Sequence, residues 1–215
     1  MNPVVVVLGV AGLATAGVVG LRVMSRRRST ACPAWLVPLL ENPYMNALAG
    51  SRLLLDRARV ASGMAVIDVG SGPGRLALPA AERVGPAGRV VALDLQPAMI
   101  RRIEERIAAT GIGNVEPLLA GAGEGRMPRD AFDRAFLVTV LGEIVDQAAA
   151  LREIHGALRR GGLLSITEVL PDPHFQPRRR VRRLAEAAGF RFSEAVGPWY
   201  AFTMNFSKPS EGGAA

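Results

Sequence analysis

Short apolar strands and helices alternate along most of this chain, and no other feature of the sequence restricts its fold as much. The predicted strands cover Ala65–Val69, Arg89–Leu93, Val115–Leu119, Phe132–Val140 and Leu163–Val169. The predicted helices between them cover Leu76–Val84, Ala98–Thr110 and Ala148–Leu158. Because strands that alternate with helices form a parallel sheet covered on both faces, we expect an α/β fold.

The pattern changes after the fifth strand. A helix is predicted over Arg178–Ala188, and two further strands over Phe190–Val196 and Trp199–Ser207. Only Gly197 and Pro198 separate these two strands, so they must pair as an antiparallel hairpin. With a helix from Tyr44 to about Arg59 before the first strand, the prediction is a seven-stranded sheet that ends in this hairpin.

The N-terminal region predicts a membrane anchor. The run from Val4 to Leu21 has no charged residue and is long enough to cross a bilayer as one helix. Arginines follow it at once (Arg22, Arg26, Arg27, Arg28), which predicts that the rest of the chain lies in the cytosol. A cleaved signal peptide with the site Ala14-Thr15-Ala16 is the alternative. Gly12, Ala16 and Gly20 recur every four residues and either pack two such helices into a homodimer or are filler.

These patterns divide the chain into four parts. Residues 1–28 form the anchor with its basic end, 29–43 a linker, 44–209 the α/β domain and 210–215 a disordered tail. A chain of 215 residues with 49% hydrophobic residues suits one such domain. The single Cys32 excludes an internal disulfide, and with only His155 and His174 present no metal site is expected.

The net charge of +7 comes from arginine, since Lys208 is the only lysine. Basicity alone identifies no partner. The densest cluster, Arg178–Arg183, predicts a solvated helix face first and contact with anionic lipid second. The sequence does not favour nucleic-acid binding, because no aromatic platform accompanies the arginines.

A glycine-rich turn carries the main functional signal. The strand Val66–Val69 runs into Gly70-Ser71-Gly72-Pro73-Gly74, and a helix follows. Glycines let the backbone approach a ligand closely, and the helix offers free N–H groups to an anion. Asp94 ends the next strand about 20 residues later, where nucleotide-binding sheets place the acid that holds ribose hydroxyls. An ordinary tight turn with Asp94 as a helix cap is the alternative.

The segment Val66–Gly74 resembles the first motif of class I S-adenosylmethionine-dependent methyltransferases. The resemblance continues through Ala92–Leu95, Phe132-Asp133, Leu151–Ile154 and Gly161-Gly162, and covers roughly Tyr44 to Pro209. Its nearest branch contains the quinone-biosynthesis C-methyltransferases. It implies a Rossmann-like sheet and S-adenosylmethionine as cofactor.

The resemblance also implies roles for individual residues. Glycines 70, 72 and 74 and Ser71 would line the methionine part of the cofactor, with Asp68 near its amino group. Asp94 would take the ribose hydroxyls, Leu95 would pack on the adenine, and Leu141 would flank the sulfonium. Relatives carry an acid where this chain has Ala122, so adenine recognition would rest on backbone N–H groups or on Glu124.

Three residues are candidate bases for methyl transfer. Glu143 follows the fourth strand, and Glu168 lies at the end of the fifth. His174 lies in the loop Pro171–Pro177, which could cover a substrate. Each has an ordinary structural alternative, such as a contact with a helix N-terminus or with backbone.

The leading hypothesis is a membrane-anchored methyltransferase whose acceptor is a small, lipophilic molecule. Trp35–Leu40 and the loop Pro171–Pro177 would then form an apolar rim that faces the bilayer. The alternatives are a degenerate methyltransferase-like scaffold, favoured by Ala122, and an NAD(P)-dependent oxidoreductase, disfavoured by Arg75 in the glycine motif.

Overall fold

The computed structural model describes residues 43–210. Two short helices, α1 (Pro43–Ala49) and α2 (Ser51–Arg57), precede the sheet. The remaining elements follow in the order β1 (Ala65–Val69), α3 (Ala77–Val84), β2 (Arg89–Asp94), α4 (Pro97–Thr110), β3 (Val115–Leu119), β4 (Phe132–Val138), α5 (Gln147–Ala157), β5 (Leu158–Val169), α6 (Arg178–Ala187), β6 (Arg191–Val196) and β7 (Ala201–Ser207).

The predicted membrane segment and linker, with Gly12, Ala16 and Gly20, lie outside the described residues. Within residues 43–210, no helix has the length and apolar character needed to span a bilayer.

The seven strands form one sheet in the order β3-β2-β1-β4-β5-β7-β6. The first five strands in this order are parallel, and β7 lies antiparallel between β5 and β6. This confirms the predicted parallel sheet with its terminal hairpin. β2 and β4 pair with opposite edges of β1, so the strand order reverses direction there. Ligands of open sheets bind at the carboxyl ends of the strands at such a switch point.

Alternate residues of each strand face two separate cores. In β1, Ile67 and Val69 pack with α5 and α6 on one face, whereas Val66 packs with α2, α3 and α4 on the other. Because both faces of the sheet are covered at β1, all five of its residues are buried, and four of them are apolar.

Most element boundaries agree with the sequence-based prediction to within one residue, and four do not. The helix predicted from Tyr44 to Arg59 is two helices, because the chain is extended at Gly50, where a Cβ atom would lie 2.4 Å from the carbonyl oxygen of Asn46. β4 ends at Val138 rather than at residue 140, because Thr139 has a φ of 57° and leaves the extended conformation. β5 begins five residues early, at Leu158, which pairs with Phe132. β7 begins at Ala201, so Trp199 and Tyr200, which the prediction placed in this strand, lie before it.

Candidate active site

A cavity of about 540 Å³ opens at the carboxyl ends of β1, β2, β3 and β4. Its walls come from the junction of α1 and α2, the glycine-rich turn, and three stretches that follow β2, β3 and β4. This volume suits a ligand of nucleotide size, and the position is the one expected for an open parallel sheet.

Asp94 holds the glycine-rich turn in place. One carboxylate oxygen accepts a hydrogen bond from the Gly72 N–H at 2.9 Å, and the other accepts from the Gln96 N–H at 2.8 Å. The backbone N–H groups of Gly70 and Ser71 donate to the Leu93 carbonyl, at 2.8 and 3.0 Å. A carboxylate has about four lone-pair sites, so Asp94 can still accept from two hydroxyl groups of a ligand.

The three glycines of the turn have different surroundings. All have positive φ values, which favour glycine. A Cβ atom on Gly72 would meet no atom within 4 Å, so its backbone borders open space in the cavity. A Cβ on Gly70 would lie 2.6 Å from the Val140 side chain, and one on Gly74 would lie 2.4 Å from Leu78. Gly74 is not part of the cavity wall, so its role is close packing of the turn against α3.

Asp68 is a buried carboxyl that faces the cavity. It is 2% exposed, and its Oδ2 atom has no hydrogen-bond partner in the protein. Burial, and to a smaller extent the nearby Asp94 charge, raise the pKa of Asp68 to about 7, while Arg75 and the Ala77 N–H oppose the shift. A buried carboxyl with one unpartnered oxygen in this position suits a ligand that brings a cationic donor, such as an amino group.

Arg75 links this carboxyl to the first helices. Its guanidinium donates to the Ala49 carbonyl at 2.9 Å, which ties α1 to the glycine-rich turn, and its charge favours ionised Asp68. From the sequence, Arg75 served only as an argument against a dinucleotide fingerprint. Its contact with α1 depends on tertiary packing and carries no local signal.

Residues 120–124, which follow β3, form another part of the cavity wall. Ala122 and Glu124 both line the cavity, and the Glu124 carboxylate folds back over the Cα atom of Gly121. Glu153 of α5 fixes this stretch by accepting from the N–H groups of Gly123, at 2.6 Å, and Met127, at 2.8 Å. The structure thus brings a carboxylate, that of Glu124, to the wall where Ala122 stands. Leu95 lines the cavity too and is 59% exposed.

The segment after β4 forms the side of the cavity opposite Leu95. Thr139 and Val140 line the cavity, whereas Leu141 is fully buried in the core and does not. The positive φ of Thr139 is unusual for a β-branched residue, and strained residues of this kind cluster at functional sites. The sequence reads as an unbroken strand through Thr139, so it gave no signal for this turn.

Of the three candidate bases, Glu143 alone lines the cavity. His174 lies behind Glu143, with its ring Nδ1 atom 3.8 Å from Glu143 Oε1. The backbone N–H of His174 donates to the Asp172 carboxylate at 2.6 Å. Gly142 makes this approach possible, because a Cβ there would overlap the His174 carbonyl oxygen. Burial lowers the pKa of His174, so its imidazole is neutral at neutral pH.

Glu168 is buried behind the cavity wall, 1% exposed, and accepts from the Gln176 N–H at 3.0 Å. Burial raises the pKa of Glu168 well above its ordinary value, the Gln176 N–H opposes this, and the charges of Asp172 and Glu143 add to it. Because Glu168 does not line the cavity, it is not placed to accept a proton from a bound acceptor. The loop Pro171–Pro177 is also turned inward, since Phe175 is 8% exposed and packs edge-on against Phe202 in the core.

Together, the sheet, its switch point and the acid-locked glycine turn define a nucleotide-cofactor site of the Rossmann-like class. The structure brings Asp68, Gly70, Ser71, Gly72, Asp94, Leu95, Ala122 and Glu143 to one cavity. Glu168 and His174 lie behind its wall, and Gly74 and Leu141 pack beneath it. Within residues 43–210, no group of side chains has the composition of a metal site.

Comparison with known proteins narrows this class. The profile of a family described as "Methyltransferase domain" matches residues 61–187. Nocamycin O-methyltransferase of Saccharothrix syringae is 32% identical over 57% of this chain and 44% of its own length. A ubiquinone/menaquinone biosynthesis C-methyltransferase of Cronobacter sakazakii is 31% identical over 68% of this chain and 57% of its own length. The chain spans about half the length of the curated relatives it matches.

The fold comparison agrees. A solved structure described as a SAM-dependent methyltransferase from Aquifex aeolicus superposes with a TM-score of 0.76 at 24% identity, over 82% of this chain and 99% of that one. The chain belongs to the methyltransferase domain family. Family membership implies S-adenosylmethionine as the cofactor, and the unpartnered Asp68 oxygen and the open space at Gly72 fit its amino group and methionine chain. The oxidoreductase hypothesis is not supported.

We expect cofactor binding to depend on pH through Asp68. Its pKa in the folded protein, about 7, lies above the unfolded value of about 4, so the folded protein favours neutral Asp68 and loses stability from this group as pH rises between those values. A cationic amino group binds the ionised form, so binding releases a proton below about pH 7. Affinity for S-adenosylhomocysteine should be about tenfold weaker at about pH 6 than at about pH 8, measured by calorimetry.

The matched variant for this test is Asp68→Asn, which keeps the shape of the side chain and cannot ionise. Its affinity should be weaker at high pH and should lose the additional pH dependence that the wild-type chain has. An identical pH profile for the two proteins would mean that Asp68 does not meet the amino group.

Proposed function

We propose that this protein transfers a methyl group from S-adenosylmethionine to a small, lipophilic acceptor at a membrane surface. The observation that carries the proposal is the cavity itself, which is lined by the glycine-rich turn that Asp94 holds, by Asp68 with its unpartnered oxygen, and by Glu143. A cofactor-binding wall and an ionisable group therefore share one space.

The cofactor would be held by residues from three strand ends. Asp68 would receive its amino group, the backbone of Gly70 and Gly72 would border its methionine chain, and Asp94 would accept from its ribose hydroxyls. Leu95 would pack on the adenine ring. The Glu124 carboxylate, on the part of the cavity wall that follows β3, is the candidate acceptor for the adenine amino group.

Glu143 is the candidate proton acceptor of the reaction. When bound, S-adenosylmethionine supplies a methyl group that is already electrophilic, and the electron pair of the broken bond stays on sulfur. The protein's own task is to align the acceptor and to remove the proton that the acceptor loses. Glu143 can take this proton, and the His174 imidazole lies beside it, with Nδ1 3.8 Å from Glu143 Oε1.

Two observations support a lipophilic acceptor reached from a bilayer. Some curated relatives are named for quinone biosynthesis, and quinone precursors reside in membranes. The uncharged run Val4–Leu21 with its following arginines supports a single span that leaves the α/β domain in the cytosol.

The chain should then remain in the membrane pellet after a carbonate wash, and release by salt alone would contradict the anchor.

A scaffold that binds the cofactor without turnover is the remaining alternative. Its support from the sequence is the Ala122 position. Glu124 weakens that support, because its carboxylate lies on the same wall of the cavity. Turnover, rather than binding, separates the two functions.

Replacement of Glu143 tests the proposed reaction. Glu143→Gln should lower the rate of methyl transfer by about 100-fold or more, because general-base catalysis contributes at least this much, while cofactor affinity stays unchanged. The assay follows transfer of labelled methyl from S-adenosylmethionine into a membrane lipid extract by the full-length chain.

Glu124→Gln is the matched control, since it removes a carboxylate from another part of the cavity wall. It should change cofactor affinity more than the rate at saturating cofactor. Full activity of Glu143→Gln would exclude this residue as the base. No methyl transfer by the wild-type chain to any fraction of the extract would count against a lipophilic acceptor.

A further inference from the structure

Three exposed aromatic residues form one patch, which we name the aromatic tip: Tyr44, Trp199 and Tyr200. Their exposed fractions are 51%, 71% and 38%. Trp199 and Tyr200 form the turn between β6 and β7 and contact each other edge to face at 5.6 Å. The Tyr44 hydroxyl donates to the Leu170 carbonyl, and the Leu170 N–H donates to the Tyr200 carbonyl at 2.8 Å, so α1 and the turn adjoin. Neighbouring aromatic side chains left in water mark an interaction surface.

The tip is held firmly by the first residue of α6. The Arg178 guanidinium donates to the carbonyl oxygens of Gly197 and Pro198, and stacks on the Phe202 ring at 5.0 Å. Trp199 is therefore presented on a braced turn. Its exposure follows from the geometry of the hairpin, because β7 begins only at Ala201 and the core-facing stripe starts with Phe202.

Positive charge lies directly beside the tip. Five arginines stand between Arg178 and Arg183 with no acidic residue among them. Arg179 and Arg183 are exposed and one helical turn apart, so they share a face of α6. Further along the helix, Arg182 pairs with Glu186 at 2.8 Å. Exposed aromatic rings next to unneutralised arginines match the composition of protein surfaces that meet anionic lipid headgroups.

The chain outside the described residues arrives at this same place. Residues 1–42, with the apolar run Val4–Leu21, lead into α1 immediately before Tyr44. The other end of α1, at Ala49, lines the cavity. Tyr44 and Ala49 are five residue steps apart along the helix, which corresponds to a rise of about 7.5 Å. The aromatic tip, the point where residues 1–42 join α1, and one wall of the cavity therefore lie at one edge of the sheet.

We propose that the aromatic tip and the exposed arginines of α6 rest on the surface of an anionic bilayer. The rings of Trp199 and Tyr200 lie at the headgroup level, and Arg179 and Arg183 face the acidic lipids. This inference rests on the proposed function, since docking orients the cavity toward a membrane-resident acceptor. The apolar rim that the sequence placed in the loop Pro171–Pro177 is thus supplied by the hairpin turn instead.

Trp199 fluorescence tests the docking directly. The full-length chain contains two tryptophans, so Trp35→Phe leaves Trp199 as the only indole. This protein is reconstituted into vesicles of phosphatidylcholine and phosphatidylglycerol, with and without bromine on the acyl chains. Trp199 should lose most of its emission to the brominated lipid and be protected from aqueous iodide. In phosphatidylcholine alone, both effects should be smaller.

Paired arginine variants separate docking from simple proximity. Arg179→Gln with Arg183→Gln should reduce the quenching of Trp199 in anionic vesicles. Arg129→Gln with Arg152→Gln, which removes two exposed arginines outside the α6 cluster, should leave it unchanged. Binding of S-adenosylhomocysteine is measured in the same samples and should be equal in all of them.

Two results would overturn the proposal. If Trp199 stays accessible to iodide and unquenched in anionic vesicles while the cofactor product binds, the tip does not dock, and the methyltransferase assignment stands. If Trp199 is shielded from iodide before any lipid is added, residues 1–42 or a second copy of the chain cover the tip. Loss of cofactor binding in every sample would instead count against the proposed function.

Discussion

The Asp94 carboxylate is the constraint on which the candidate site depends. It accepts from the N–H groups of Gly72 and Gln96, and so joins the glycine-rich turn after β1 to the loop after β2. Gly72 and Gln96 are half-buried at the cavity, and the carboxylate supplies the protein acceptor for both N–H groups. The same bonds fix the positive-φ conformation of the turn, which opens the space beside Gly72. A ligand that reaches Asp94 therefore meets a site that is already formed.

The electrostatics of the cavity follow from two carboxyl groups at adjacent strand ends. Asp94 has hydrogen bonds that favour its charge, although burial raises its pKa. Asp68 has an unpartnered oxygen, and burial together with the Asp94 charge leaves its pKa near 7. The protein alone organises Asp94, whereas Asp68 keeps an acceptor oxygen that a cationic ligand could use. A molecule that carries both ribose hydroxyls and an amino group satisfies the two together.

The sequence predicted the parts of the structure that have local causes. The apolar periodicity located all seven strands, and the short Gly197-Pro198 link predicted the antiparallel pair. The glycine motif with Asp94 located the cavity. What the sequence missed are backbone conformations that the apolar pattern does not encode. The chain is extended at Gly50, where a Cβ atom would clash with the Asn46 carbonyl oxygen, and the turn at Thr139 interrupts a stretch whose composition suits a strand.

The candidate bases illustrate the same limit. Chain position put Glu143 and Glu168 at strand ends on the same edge of the sheet, yet their side chains have different environments. Glu143 lines the cavity, while Glu168 is buried against the backbone of Gln176. Alternation along a strand decides which face a residue takes, but only the packing of the loop Pro171–Pro177 decides whether that face is open. The aromatic tip was missed for a related reason, since the alternating pattern extends through Tyr200 although the strand begins at Ala201.

The most direct test of this account is a calorimetric titration of the full-length chain with S-adenosylmethionine, S-adenosylhomocysteine and NADH, in parallel with Asp94→Ala. The wild-type chain should bind the first two and not NADH. Asp94→Ala should weaken binding by about 1–3 kcal/mol, because the ribose hydroxyls lose a buried acceptor and the turn loses its brace. The exposed Asp56→Ala, on α2, should bind as the wild type does. A folded wild-type chain that binds neither S-adenosyl compound, or that prefers NADH, would contradict the assignment.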